Sequence, residues 1–186
     1  MKNIVVFASG SGSNFENLVK KLHGDDINVA LLVCDKPKAK CITRADNLNI
    51  RTKVLQLSDF TNKEAYEREI IHTLKEINPD LIVLAGYMKL ISEWLLNAYE
   101  GKIINIHPSL LPAFAGANGI ADAFKYGVRI MGVSVHYVDA GIDTGPIIDQ
   151  ESFKLGDCDT LETVTEKIHA IEHDLYPRVI KKLLLG

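Results

Sequence analysis

Short apolar runs and helically spaced apolar positions take turns along the chain from its first residues. Asn3–Ala8 is apolar without alternation, the pattern of a parallel strand covered on both faces. From Asn14 to His23 the apolar Phe15, Leu18, Val19 and Leu22 fall on one helical face, and Gly24 stands where a C-cap belongs. Ile27–Cys34 repeats the strand signal, Ala39–Leu48 predicts a second helix, and Thr52–Leu57 a third, weaker strand. Thr61-Asn-Lys-Glu64 has the form of a capping box and opens a helix reaching about Ile77. Asn78-Pro79 ends that helix, and Leu81–Ala85 reads as the next buried strand. A short helix over Ser92–Ala98 and a strand over Lys102–Ile106 complete the first half.

The second half changes character. Ala117–Tyr126 predicts a helix, and Gly132–Val138 and Pro146–Phe153 predict two strands joined by residues 139–145. That connection is too short for a crossover helix, so the pair is expected to be antiparallel. The last element opens at Asp159 with Glu162 three residues on, another capping signature. Its apolar Leu161, Val164, Ile168, Ile171, Leu175, Val179 and Leu183 recur three or four residues apart, which predicts a long amphipathic helix laid on the sheet. No repeat or low-complexity segment interrupts the alternation, so a single α/β domain over residues 1–186 is expected.

Composition narrows the class. The 186 residues are 47% hydrophobic and 24% charged, with 21 basic against 24 acidic residues for a net charge of -3. A basic face for nucleic acid is therefore not expected. A chain of this length buries about two-thirds of its unfolded surface and needs no disulfide or metal to fold. Cys34, Cys41 and Cys158 contain no C-x-x-C pair, which argues against a disulfide framework and against a cysteine zinc site. The apolar run Ile4–Ala8 is too short for a signal-peptide core or a membrane span, so a cytoplasmic protein with no membrane partner is expected.

Three polar segments carry candidate chemistry. Ser9-Gly-Ser-Gly-Ser-Asn14 lies between the first strand and first helix, where free N–H groups and the helix dipole favour an anion. It contains Gly10-x-Gly12, but Phe15 replaces the dinucleotide fingerprint's third glycine and no acidic residue is placed for a ribose. It is neither a nucleoside-triphosphate loop nor a nucleophile elbow. A single bound phosphate and a simple tight turn are the two readings. In Asn105-Ile-His107-Pro-Ser109-Leu-Leu-Pro112, Asn105 and His107 share one face at a strand's C-terminal end, the edge where open parallel sheets bind ligands. Asn105 can donate to a developing oxyanion and His107 can move a proton near neutral pH, although a lone histidine can equally be structural. Asp139-Ala-Gly-Ile-Asp143-Thr-Gly145 is either turn chemistry or the source of a carboxylate that stabilises the His107 imidazolium. His136 reads as a buried, hydrogen-bonded histidine supporting the site. His169-Ala-Ile-Glu172-His173 matches the H-x-x-E-H zinc pattern, but such a site needs a third ligand and a cleft, so no metal is expected.

With these residues assembled, the chain resembles, nearly end to end, the folate-dependent phosphoribosylglycinamide formyltransferases of purine synthesis. The resemblance is carried by Gly12-Ser13-Asn14, Leu84-Ala-Gly-Tyr-Met88, the Asn105–Pro112 block, Gly132-Val-Ser-Val-His136 and Asp143-x-Gly-Pro-Ile147. It implies a formyltransferase fold: a Rossmann-like, mostly parallel twisted sheet flanked by helices. Residues 1–100 would bind phosphate and nucleotide, and residues 101–186 would carry catalysis and folate. Glycinamide ribonucleotide is implied at Gly12, Ser13 and Asn14 through its phosphate, and at His169 to Glu172 on the last helix. 10-Formyltetrahydrofolate, a co-substrate and not a bound cofactor, is implied at Lys63, at Met88, Lys89, Leu90 and Ile91, at Asn105, and at Asp139, Ala140, Gly141 and Ile142. Asn105 is implied as the oxyanion donor, His107 as the proton carrier to the leaving folate nitrogen, and Asp143 as the group that holds His107 protonated. Ser109, Gly116, Asn118 and His136 are implied as supports, and a monomer or homodimer is expected.

Two departures from the family pattern stand out. Phe114-Ala115-Gly116-Ala117-Asn118 lacks the family's usual proline after phenylalanine and its frequent histidine, so a looser loop without a titratable group at Asn118 is expected. Lys63, where arginine is commoner, supplies a point charge in place of a fork and a weaker hold on a carboxylate. Formyltetrahydrofolate deformylase shares the Gly116-Ala-Asn118 wording but adds an N-terminal regulatory domain and usually a histidine at the position of Pro108. Methionyl-tRNA formyltransferase adds a tRNA-binding C-terminal extension. The strands begin at residue 3 and the sequence stops at Gly186, so neither addition is expected. Deformylase-like hydrolysis and non-catalytic nucleotide-phosphate binding are the alternatives to formyl transfer.

Overall fold

Ile4, Val5, Val6, Phe7 and Ala8 lose all exposure to solvent in the first strand, β1 (Lys2–Ala8), which pairs in parallel along both edges. Its neighbours are β2 (Ile27–Cys34) and β4 (Leu81–Leu84), with Val6 opposite Leu32 on one side and Val83 on the other. β3 (Thr52–Val54) pairs in parallel with β2. The β-branched runs suit this doubly covered position, and each fully buried Val, Ile or Phe contributes about 1.5–3 kcal/mol. Chain order reverses at β1, which places its C-terminal loop at a topological switch point.

The computed structural model describes Met1–Gly186 and divides into two units, Met1–Ile104 and Asn105–Gly186. β5 (Ile103–His107) begins in the first and ends in the second. With β6 (Ile130–Tyr137) and β7 (Ile147–Lys154), hydrogen-bonded strands follow the order β3-β2-β1-β4-β5-β6-β7 in a seven-stranded sheet. The sheet is mixed: the pairings of β1 with β2 and β4 and of β2 with β3 are parallel, whereas β6 and β7 pair antiparallel, as the short connection predicts.

The first unit also contains α1 (Ser13–Leu22), α2 (Lys40–Asn47), α3 (Lys63–Ile77) and α4 (Glu93–Ala98), with one 3-10 turn at Leu57–Asp59. The second contains α5 (Gly119–Tyr126) and α6 (Leu161–Leu185), which lies against β6 and β7. Phe15, Leu18, Val19 and Leu22 are buried, as their spacing predicts. No helix is long and apolar enough to cross a membrane.

Several boundaries differ from the sequence reading. The third strand ends at Val54, and the chain turns into the 3-10 segment. Asn62, not Thr61, caps α3, its side chain accepting the Ala65 N–H. Thr160 caps α6 in a reciprocal box with Thr163, while Asp159 stands one residue outside and takes the Gly156 N–H and the Lys167 ammonium. α1 ends on an extended His23, so Gly24 is not its left-handed cap. On α6 the buried stripe is Val164, Ile168, Leu175 and Val179, joined by Glu172 and Tyr176; of the other positions expected on it, Leu161 at the helix start is exposed and Ile171 and Leu183 are only half-buried. Pro177 lies inside this helix and removes one helical N–H.

Candidate active site

β5 presents Asn105 and His107 on one side of the strand, as a period of two requires. β6 presents His136, and the connection to β7 presents Asp143, whose backbone sits in the left-handed region at φ 54. The Asp143 carboxylate is the hub. Its Oδ2 lies 3.3 Å from His107 Nδ1 and accepts the Gly116 N–H at 2.9 Å. Its Oδ1 accepts from Asn105 Nδ2 at 3.3 Å and lies 3.5 Å from His136 Nε2.

The two histidines differ in what surrounds them. His107 Nε2 lies 2.9 Å from the Phe114 carbonyl, so an oxygen acceptor faces each ring nitrogen and only the doubly protonated ring donates at both. His136 Nδ1 lies 2.8 Å from the Tyr137 carbonyl and carries a proton there. Its Nε2 then accepts from Asn105 Nδ2 at 3.2 Å in the neutral ring. Both amide hydrogens of Asn105 therefore have acceptors, at 3.2 and 3.3 Å, the long end of the hydrogen-bond range.

The segment after β5 folds over the His107 ring. Phe114 adopts φ 54, which turns its carbonyl onto Nε2, and its ring rests edge-on against Tyr126 with centroids 5.7 Å apart. Gly119 backs the imidazole: a Cβ there would stand 3.0 Å from both His107 Nε2 and the Phe114 oxygen. Asn118 is the N-cap residue of α5, but its side chain makes no capping bond. Ser109 Oγ donates to the Ala113 carbonyl at 2.6 Å, tightening the turn before Phe114.

The other sequence candidates lie outside this cluster. Asp139 accepts the Gly141 N–H at 3.0 Å and the Thr144 hydroxyl at 2.7 Å, which is turn chemistry, and Ala140, Gly141 and Ile142 are exposed. On α6, His169 Nδ1 bonds Glu172 Oε2 at 2.9 Å, and this bond raises the histidine above its ordinary pKa. No third ligand joins them in a group that could hold a metal. In the first unit, Gly12 is the α1 N-cap at φ 73, with Ser13 and Asn14 opening the helix. Lys63 Nζ is exposed and 3.6 Å from Glu67 Oε1. Met88 and Leu90 leave apolar side chains in solvent, and the Met88 N–H is held by Ser9 Oγ at 2.9 Å. Lys89 Nζ sits 4.7 Å above the Tyr66 ring and 4.0 Å from Asp35 Oδ2, and Ile91 is half-buried.

The profile of a family described as formyl transferase matches residues 2–180, spanning both units. The chain belongs to the formyl transferase family. Within it, the chain is similar to the phosphoribosylglycinamide formyltransferase of Bacillus subtilis (strain 168), at 53% identity over 99% of this chain and 95% of that one. Among solved structures, glycinamide ribonucleotide transformylase 1 from Geobacillus kaustophilus matches with a TM-score of 0.93 at 50% identity, over 99% of each chain. Phosphoribosylglycinamide formyltransferase from Coxiella burnetii matches with a TM-score of 0.95 at 34% identity, over 100% of this chain and 88% of that one.

In this formyl transferase, three residues around the cluster escape sequence reading. Ser134, fully buried on β6, accepts the Leu111 N–H at 3.0 Å and donates to the Ser109 carbonyl at 2.7 Å. Gln150 on β7 donates to the Leu111 carbonyl at 3.1 Å and to Ser134 Oγ at 2.8 Å. With Gly119, they fix the segment that carries Phe114 and Gly116. Only Gly119 had a signal, a glycine at a helix start directly after the polar loop.

Proposed function

We propose that the protein transfers the formyl group of 10-formyltetrahydrofolate to the amine of glycinamide ribonucleotide, as a phosphoribosylglycinamide formyltransferase of purine biosynthesis. The observation that carries this reading is the convergence of Asn105, His107 and His136 on one Asp143 carboxylate in a chain of this family. The substrate amine attacks the formyl carbon, a C–N bond forms, and the carbonyl oxygen becomes an oxyanion. Asn105 exchanges one of its two long amide bonds for a bond to that oxygen, where a preorganised donor is worth most. His107, held protonated by Asp143, gives its proton to the departing folate nitrogen as the old C–N bond breaks, and the proton lost by the amine restores the balance. His136, fixed on the Tyr137 carbonyl, orients the Asn105 amide.

Gly12, Ser13 and Asn14 take the phosphate on backbone N–H groups and the α1 N-terminus. With a net charge of -3, that local field and not a basic surface must attract the anion. His169 and Glu172 contact the ribonucleotide. The folate lies against Lys63, Met88 to Ile91 and Asp139 to Ile142, where exposed Met88, Leu90 and Ile142 offer apolar surface. Ser109, Gly116 and Asn118 support the loop. Residues 1–186 act as one catalytic domain, cytoplasmic, as a monomer or homodimer, with no resident cofactor.

Mixing the protein with 10-formyltetrahydrofolate, with and without glycinamide ribonucleotide, tests the reading. Tetrahydrofolate release only when the ribonucleotide is present is the expected result. Release without it means hydrolysis, and no release in either mixture means binding alone.

A further inference from the structure

Two thiols meet beside the glycine loop of the first unit. Cys34 ends β2 and Cys41 is the second residue of α2; both are fully buried, and the Cys41 thiol donates to Cys34 Sγ at 3.5 Å. The Lys36 N–H also reaches Cys34 Sγ at 3.5 Å. The Cys41 bond pulls the Cys34 thiol below its ordinary pKa and pushes Cys41 up. The Cys34 thiol in turn donates to the Lys36 carbonyl at 3.3 Å, so the bonds run from Cys41 to Cys34 to the main chain, and Cys34, which accepts from both Cys41 and the Lys36 N–H, is the sulfur placed to attack, with Cys41 placed to resolve.

The pair is tied to the loop through main chain. The Cys41 N–H donates to the Gly10 carbonyl at 3.1 Å. Gly12, at φ 73, approaches so closely that a Cβ on it would stand 2.5 Å from Cys41 Cβ and 2.7 Å from its Cα. α2 begins after Ala39 with no side-chain cap, and main-chain bonds alone hold its first N–H groups, Cys41 on the Gly10 carbonyl and Ile42 on the Ala39 carbonyl, each at 3.1 Å. Because both sulfurs are buried, reaction with a small reagent requires local opening of this turn.

We propose that Cys34 and Cys41 form a reversible thiol-modification site, closed to a disulfide by hydrogen peroxide, that displaces the Ser9–Asn14 loop. The Cys34 thiolate attacks one peroxide oxygen, the O–O bond breaks, and the leaving hydroxide takes a proton to become water. The Cys41 sulfur then attacks the Cys34 sulfenic acid; the S–S bond forms, and the Cys41 proton leaves with the sulfenic hydroxyl as a second water. Two electrons pass from the thiols to the peroxide, and a dithiol reductant returns them. The sulfurs close from 3.5 Å to about 2.0 Å, and the Cys41 backbone, locked to Gly10 and Gly12, moves with them.

The effect on activity rests on the phosphate role proposed for Gly12–Asn14, whereas the disulfide itself does not. The full-length protein is treated with peroxide, alkylated, digested and analysed by mass spectrometry, and parallel samples are assayed. The expected result is a Cys34–Cys41 linked peptide, with the KM for glycinamide ribonucleotide raised about tenfold or more and the folate KM changed far less, as a displacement of about 1 Å in a binding loop predicts. Dithiothreitol restores both readouts. Cys41→Ser abolishes the linked peptide and the response, whereas Cys158→Ser, at an exposed thiol, retains them. Should Cys41→Ser fold poorly, the linked peptide in the unsubstituted protein still decides. Cys34 and Cys41 remaining alkylatable while Cys158 oxidises overturns the proposal, as does a linked peptide with an unchanged ribonucleotide KM. Untreated protein lacking transferase activity would sink the functional reading instead, with the linked peptide still supporting the site.

Discussion

Replacing Asp143 with Asn keeps the shape of the carboxylate hub proposed to be catalytic and removes its charge. Four groups converge on the carboxylate: the Gly116 N–H at 2.9 Å, His107 Nδ1 and Asn105 Nδ2 at 3.3 Å, and His136 Nε2 at 3.5 Å. An amide offers only one oxygen. Turned one way, its NH2 faces Gly116 and His107; turned the other, it faces the Asn105 amide, so a donor meets a donor in either case. The His107 and Asp143 side chains are only 6% and 14% exposed, so solvent screens their interaction little. A hydrogen bond to a charged group contributes about 1.5–3 kcal/mol, which converts to about 10- to 150-fold in rate if it is lost in the transition state. The proton delivery proposed for His107, a kind of step worth ~10²–10⁴-fold, would be impaired as well. The expected outcome is a kcat lower by ~10²–10³ with the ribonucleotide KM changed less than about threefold. Initial rates of tetrahydrofolate release from about pH 6 to 9 measure this directly. A kcat loss below about fivefold, or equal losses in kcat and ribonucleotide affinity, would refute the reasoning.

Gly119→Ala pushes a methyl group against His107 Nε2 and the Phe114 oxygen, each 3.0 Å from the new carbon, so kcat should drop about tenfold with an unchanged melting temperature. A kcat equal to that of the parent would show that the ring is not confined there. Ser134→Ala strands the Leu111 N–H and Ser109 carbonyl in a buried site and should cost about 2–3 kcal/mol in urea unfolding at unchanged m. The His169–Glu172 bond raises the histidine, so its stabilisation is complete below the ordinary His pKa and is lost as pH rises through the elevated value. NMR titration should find His169 high and Glu172→Gln should bring it down; an unmoved titration would remove this pair from the account.

Much of the architecture is legible because burial writes itself into β1, β2 and β4 as the apolar runs Ile4–Ala8, Val29–Cys34 and Leu81–Leu84. Asn105 and His107 were legible together because a strand's period of two leaves no other arrangement. Cap positions were not, because Thr61 and Asn62, or Asp159 and Thr160, are all competent acceptors, and backbone angles alone choose between them. Gly24 illustrates the same limit: a glycine past a helix is used as a cap only if the chain turns left-handed there, and here it runs extended. Ser134 and Gln150 carry no local signal, since their partners are main-chain groups of residues 109 and 111, whose positions only the folded loop defines. The Asp139–Gly145 segment fits turn chemistry and a carboxylate beside His107 equally well in sequence, because an irregular connection with Asp143 at φ 54, not periodicity, sets the geometry.

The Phe114 carbonyl occupies the one nitrogen of His107 not turned toward Asp143. On the proposed chemistry, the resting protein therefore keeps its acid engaged and presents no free imidazolium N–H to a passing water molecule. A labile formyl donor bound alone meets an unarmed site, and the proton is released only when the loop gives up its bond. On that same proposed chemistry, transfer over hydrolysis becomes a matter of timing, set by when the Phe114 carbonyl yields His107 Nε2.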